Sequence, residues 1–514
     1  MQISIHRFTL AGSAALVLLA GCAKVNPAPD YRRAAEYASR ATGQARLFDP
    51  QQRDSDEQAI KAMLADGLSA DEAVQIALLN QPQLQAALFE IGAARADLVQ
   101  AGLLSNPNLG IALRLPSAGG LANIDFDLAQ NIADLWQIPV RKRMAQRNLE
   151  QTILQIARQA AETAAQAKEA FYRAGGAERQ LEIARENLDV GRTIVELTKL
   201  RRQAGAGSEL DVNLARGVLL DAELAVKRAQ LAAGSARRAL ATVLGLSIDA
   251  SRIRLIQAAP SPPAHMFDAA ALADLAFSER LDVRALRQSV AAADERLLLE
   301  RRRVFPELSV GLAFERGERP RGQGRDILAD TARASIAAGQ LTAPEIQPRS
   351  ARDVDTDLII GPALSLELPI FDQNQAQIAK AQFELEQRLR LLDGLERTIR
   401  QEVREAAAQA QTAWELARFY REQVVPQAER NLQMSRDSYR AGKSAVLSVL
   451  DAERTFLAAR QRQAEALEQA AAVIPQLERT VGLPLTQMLQ RLRGEQGSAT
   501  SQPTARRTVA GEGQ

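Results

Sequence analysis

The chain has 514 residues, with 64 Lys and Arg against 62 Asp and Glu, a length that allows two to four domains. A balance this close to zero argues against a nucleic-acid binder, which needs cations in surplus over phosphate, and an aromatic share of 4% leaves few platforms for stacking bases. Two histidines and one cysteine cannot build a His/Cys metal site or a Cys–His nucleophile pair, so no catalytic residue, no metal ligand and no cofactor is expected.

Residues 1–21 read as a signal peptide. Arg7 gives a basic start, and Phe8 to Ala20 is an apolar run too short to cross a bilayer as a helix. The run ends in Leu19-Ala20-Gly21-Cys22, which resembles a bacterial lipoprotein box. That resemblance implies that Cys22 is acylated and starts the mature chain. Ala23 follows in place of an Asp, which by the same resemblance directs the chain to the outer membrane. A polar segment, 22–67, comes next.

The rest of the chain is written twice. LSADEAVQIALLNQPQLQAAL from Leu68 matches FDAAALADLAFSERLDVRALR from Phe267, an offset of 267 − 68 = 199. Pro107 meets Pro306 at that same offset, Pro139 meets Pro369 at 230, and Gly205 and Gly245 meet Gly442 and Gly482 at 237. Anchors kept in one order point to an ancestral duplication, with repeats at 68–249 and 267–485. The final stretch, 494–514, has almost no large apolar residues and is expected to be disordered.

Each repeat alternates helical and strand-like periods. The first opens at Ser69 with Glu72 three residues on, a capping-box spacing that starts a helical block over 69–104. Strands are predicted at about 106–115 and 123–139, where Leu109, Ile111 and Leu113, then Ile124, Phe126 and Leu128, alternate with small or acidic residues. From Val140 to Ala259 there is no proline, and only Gly205–Gly207 looks like a turn. The arm 140–204 is a helix of about 100 Å, a coiled-coil or helical-tube length. The second repeat has strands at about 306–316 and 357–370, divided by a loop from about 316 to 355 with a helical stretch at 327–338. Its own long arm runs from Asp372 to Ala441, with Pro426 as a kink. Each strand is long enough to span a bilayer when tilted, and the same alternation also fits an ordinary half-buried sheet in a soluble domain; four strands cannot close a barrel, so the membrane reading asks for an oligomer.

The stretch Tyr439-Arg-Ala-Gly442-Lys-Ser-Ala-Val-Leu-Ser-Val-Leu-Asp451-Ala-Glu resembles the TolC-type outer-membrane efflux factors, and the likeness covers roughly residues 60–490. It implies a mainly α fold with a membrane β-barrel portion: a homotrimer whose 12-stranded β-barrel continues as a periplasmic α-helical barrel. The implied function is the exit duct of a tripartite efflux system, not an enzyme. Its implied partners are outer-membrane lipid, a periplasmic adaptor and an inner-membrane pump, and its place is the outer membrane of a Gram-negative bacterium, lipid-anchored and extending into the periplasm. By the same resemblance, Asp211 and Asp451 face the periplasmic constriction and Tyr439 helps to hold it closed. Ser448 stands where a second acid of the ring occurs; Ser444 stands where a basic latch occurs, with Lys443 beside it. The alternative reading is a periplasmic coiled-coil lipoprotein adaptor, which would lack the duplicated helix–strand–strand–helix unit.

Overall fold

The computed structural model describes residues 23–50, 53–115, 117, 122–256, 268–304, 308–320, 325–341 and 354–499. The expected signal peptide and Cys22 lie outside them, as does the tail beyond Ala499. The chain divides into two compact units. One takes the residues up to Ala96, Arg147–Val290 and those from Gln387 on; the other takes Asp97–Gln146 and Ala291–Glu386.

The second unit is built on a four-stranded antiparallel sheet: β1 (Asn108–Arg114), β2 (Asn123–Asn131), β3 (Leu308–Pro320) and β4 (Val354–Leu366), in the order β1-β2-β3-β4. Each repeat contributes one hairpin, and β2–β3 pairing joins the two. The ladder places Ile111, Phe126, Phe314 and Ile360 in one row and Leu109, Leu128, Leu312 and Pro362 in another. Side chains alternate faces along a strand, so these rows share one apolar face. The Phe126 and Phe314 rings meet edge to face with centroids 5.8 Å apart. The opposite face carries the rows Gly110, Asp127, Ala313, Gly361 and Ala112, Asp125, Glu315, Ile359. It is acidic and small, with Ile359 as its apolar exception.

The β3–β4 ladder runs four residues further out than expected at β3 and ends with Pro320 opposite Val354. Between these strands lies a helix over Arg325–Ala338. The second strand is shorter than expected: β2 stops at Asn131, not at 139. The helix that follows begins at Asp134 and contains Pro139. Asp134 explains the early start. Its carboxylate accepts from the Ser105 amide and hydroxyl at 2.6 Å, pairs with Arg141 at 3.0 Å, and places negative charge in the first helical turn. Pro139 and Pro369 therefore match in sequence and differ in conformation, since Pro369 lies in the coil after β4.

In the first unit, α1 (Ala28–Thr42), α2 (Arg53–Ala65), α3 (Ala70–Asn80) and α4 (Pro82–Ala101) precede the long helices, α4 running on past Ala96. The Ser69–Glu72 capping box forms, with the Ser69 amide donating to Glu72 at 2.8 Å. Buried Asp30 at the start of α1 accepts from Arg95 at 2.6 and 2.8 Å and from Arg33 at 2.9 Å, which ties the polar N-terminal segment onto α4. Helix α5 (Asp134–Gln203) has 70 residues, about 105 Å at 1.5 Å per residue. It returns as α6 (Glu209–Val243). In the second repeat come α7 (Ala269–Glu279) and α8 (Leu281–Arg302), and, after the sheet and its inserted helix α9 (Arg325–Ala338), α10 (Gln375–Phe419). One π turn over Tyr420–Val424 then leads into α11 (Val425–Arg440), and α12 (Val446–Val481) returns. The π turn sits where Pro426 was expected to kink the arm. Helix α13 (Leu485–Ala499) carries the chain into the segment expected to be disordered.

Two cores follow the duplication. One gathers Leu68, Ile76, Leu79, Leu84, Leu154 and Leu240; the other gathers Leu272, Ile399, Val403, Trp414, Leu477 and Val481. Beside the second, buried Arg280 holds Asp282 through two hydrogen bonds of 3.0 and 2.7 Å and reaches Glu402 at 2.6 Å.

Candidate functional site: the tips of the two helical hairpins

The turns at the hairpin tips close with the same backbone bonds. The Gly205 amide donates to the Arg202 carbonyl and the Ala206 amide to that of Arg201; 237 residues on, Gly442 donates to Tyr439 and Lys443 to Ser438. This is a Schellman ending, and it needs left-handed backbone at the glycine: φ is 70° at Gly205 and 69° at Gly442. A Cβ at either position would meet nothing within 4 Å, so the conformation rather than space selects glycine.

Past the turns the repeats diverge. Ser208 caps α6: its amide and hydroxyl both donate to Asp211 Oδ2 at 2.9 Å, and the Asp211 amide donates back to Ser208 Oγ at 3.2 Å. The spacing Ser208-x-x-Asp211 is a capping box readable from sequence, and it gives Asp211 a local structural partner. In the second repeat Ala445 holds the capping position and makes no side-chain bond. Ser448, the repeat-mate of Asp211, turns its hydroxyl onto the Ala445 carbonyl at 2.7 Å. The buried Ser444 Oγ has no hydrogen-bond partner among the described residues. Lys443 is exposed on the turn, and Asp451 is exposed one helical turn beyond Ser448.

Tyr439 is 8% exposed and packs with Val446, Val449 and Leu450, against Ile194 and Val218 of the first hairpin. The Arg201 guanidinium lies 4.1 Å from the Tyr439 ring centroid, and its Nη1 donates to the Tyr439 carbonyl at 2.9 Å. Higher on the shafts, a cavity of about 230 Å³ opens among α5, α11 and α12. Glu453, buried there, accepts from Arg436 at 2.8 Å, and Arg460 of α12 pairs with Glu186 of α5. The structure thus brings Tyr439 to the first hairpin, and it leaves Lys443, Ser448 and Asp451 on the exposed surface of the second. Arg201, Glu186 and Arg460 escaped the sequence reading because nothing in their local pattern marks a contact between helices so far apart in the chain.

Large apolar residues remain uncovered on both units. On the sheet, Ile111 and Ile360 are each 63% exposed. On α6, exposed Leu210, Leu224 and Leu231 fall on a seven-residue spacing with Gly217, where an added Cβ would meet nothing within 4 Å. An apolar residue recurring every seven positions is the spacing of one side of a coiled-coil seam. Among the described residues, no helix is long and apolar enough to cross a membrane, and no cluster of His, Cys, Asp or Glu could hold a metal ion.

The family model for outer membrane efflux proteins matches residues 73–246 and again 272–483, once in each repeat. The cobalt-zinc-cadmium resistance protein CzcC of Cupriavidus metallidurans is 26% identical over 436 residues, covering 81% of this chain and 91% of that protein. The pyoverdine export outer membrane protein OpmQ of Pseudomonas putida is 23% identical over 293 residues, covering 55% of this chain and 54% of its own length. Among solved structures, the outer membrane protein VceC of Vibrio cholerae superposes with a TM-score of 0.60 at 19% identity, over 81% of this chain and 96% of that one. With both repeats matched in order, the chain belongs to the outer membrane efflux protein family.

Proposed function

We propose that the chain is the outer-membrane exit duct of a tripartite efflux system, and that it works as a homotrimer joined to a periplasmic adaptor and an inner-membrane pump. The observation that carries this reading is the two-faced sheet whose edges, β1 and β4, are unpaired among the described residues. In hydrocarbon an unpaired edge is not tolerated. Three copies pairing β4 of one with β1 of the next make an antiparallel ring of 12 strands. The apolar rows then meet lipid, and Asp125, Asp127 and Glu315 line a wet lumen. The leucine seam on α6 gains its partner helix in the same step. Cys22, acylated, adds a lipid anchor, and the hairpin tips, with Asp211, Tyr439, Lys443, Ser448 and Asp451, form the periplasmic gate. The family match over both repeats sets aside the adaptor reading.

The test is conductance. Detergent-extracted full-length protein, added to a planar lipid bilayer, is expected to give discrete channels of one unitary size in symmetric KCl. Preparations that are folded and helical by circular dichroism yet give no channels would rule the duct out.

A further inference from the structure

We propose that Arg201 is the clamp that holds the second hairpin shut against the first, and that it acts through the face of the Tyr439 ring and the end of α11, not through the Tyr439 hydroxyl. This rests on the reading of the hairpin tips as the gate.

Arg201 stands in the last turn of α5, and Tyr439 in the last turn of α11. The Tyr439 carbonyl already accepts from the Gly442 amide and is one of the final carbonyls of α11, where the helix gathers partial negative charge. A guanidinium at that point caps α11 from outside while its plane covers the aromatic ring, so one side chain meets two complementary charges at once. Asp211, the carboxylate placed at the same constriction by resemblance, is engaged by Ser208. The clamp is one-sided. The repeat-mate of Arg201 is Ser438, since 201 + 237 = 438, and that of Tyr439 is Arg202, which pairs instead with Glu209 of its own hairpin. Each copy therefore brings one clamp.

A lysine keeps the charge at this position and loses the planar fork. Phenylalanine at 439 keeps the ring and the backbone carbonyl and loses only the hydroxyl. These two variants separate the clamp from a hydroxyl latch.

The experiment records open probability in planar bilayers for full-length wild type and for Arg201→Ala, Arg201→Lys, Tyr439→Phe and Tyr439→Leu. The wild type is expected to be mostly closed. Arg201→Ala and Tyr439→Leu raise open probability about tenfold or more, a factor equivalent to about 1.4 kcal/mol. Arg201→Lys falls between, Tyr439→Phe matches wild type, and the double variant Arg201→Ala/Tyr439→Leu opens no more than either single one. Opening by Tyr439→Phe as large as by Tyr439→Leu, or an Arg201→Ala channel as closed as wild type, overturns the clamp. If Arg201→Ala does not assemble, the comparison of Phe with Leu at 439 still decides. A wild type with no channel activity overturns the gate reading itself, and the clamp with it.

Discussion

Counting 237 residues on from Asp211 reaches Ser448, and counting back from Asp451 reaches Leu214. The two aspartates assigned together to the constriction are therefore not repeat-mates, and their surroundings differ accordingly. Asp211→Ala removes a capping box and is expected to destabilise the start of α6 by about 1 kcal/mol, seen as faster amide exchange at residues 209–212. Asp451→Ala leaves that exchange unchanged and weakens cation selectivity, read as a smaller reversal potential in a KCl gradient. Asp282 supplies a pH signature. Burial pushes its carboxyl upward, but the hydrogen bonds and charge of Arg280, with Arg158 at 3.2 Å, outweigh burial and hold it below the ordinary carboxylate range. A depressed folded value contributes stability above the unfolded pKa and loses it as pH falls through the folded one. The unfolding temperature of the wild type should thus drop as pH goes from about 5 towards 3. Asp282→Asn should start lower at neutral pH and fall less over that window; an equally steep fall would remove Asp282 from the explanation.

At the scale of elements, the strands were legible because period 2 changes the face of every second residue, and the long arms because proline is missing over so many turns. What escaped the sequence reading was decided by contacts. The end of β2 depends on Asp134 meeting Ser105 and Arg141. Helix α1 lay unnoticed in a polar stretch, because its buried face is made of Ala34, Ala38 and a paired Asp30. The tip residues were located by their turns, but their partners were not, since Arg201 meets Tyr439 238 residues away. Two predictions belong here. Leu224→Glu with Leu231→Glu puts charge on the apolar stripe of α6; the protein should keep its helicity and lose the proposed trimer in size-exclusion chromatography with light scattering. Glu186→Arg and Arg460→Glu should each raise open probability, and the double exchange should restore the closed wild-type behaviour; no recovery would mean that this ion pair does not hold the hairpins together.

For the whole molecule, the central claim is that the sheet closes by pairing between copies. Within one copy β1 and β4 are separated by β2 and β3, so their residues lie about 14 Å apart across the ladder, beyond the reach of a disulfide. Between neighbours in a closed ring they are adjacent strands, with facing Cβ atoms about 5 Å apart. The decisive measurement is a scan of cysteine pairs, one on β1 and one on β4, in a Cys22→Ser background, with oxidation in membranes and denaturing electrophoresis without reductant. A head-to-tail interface that closes with three members yields covalent trimers as the final product in at least one register. Interchain products that stop at dimers, continue as an open ladder, or never form at any register would contradict the twelve-stranded barrel.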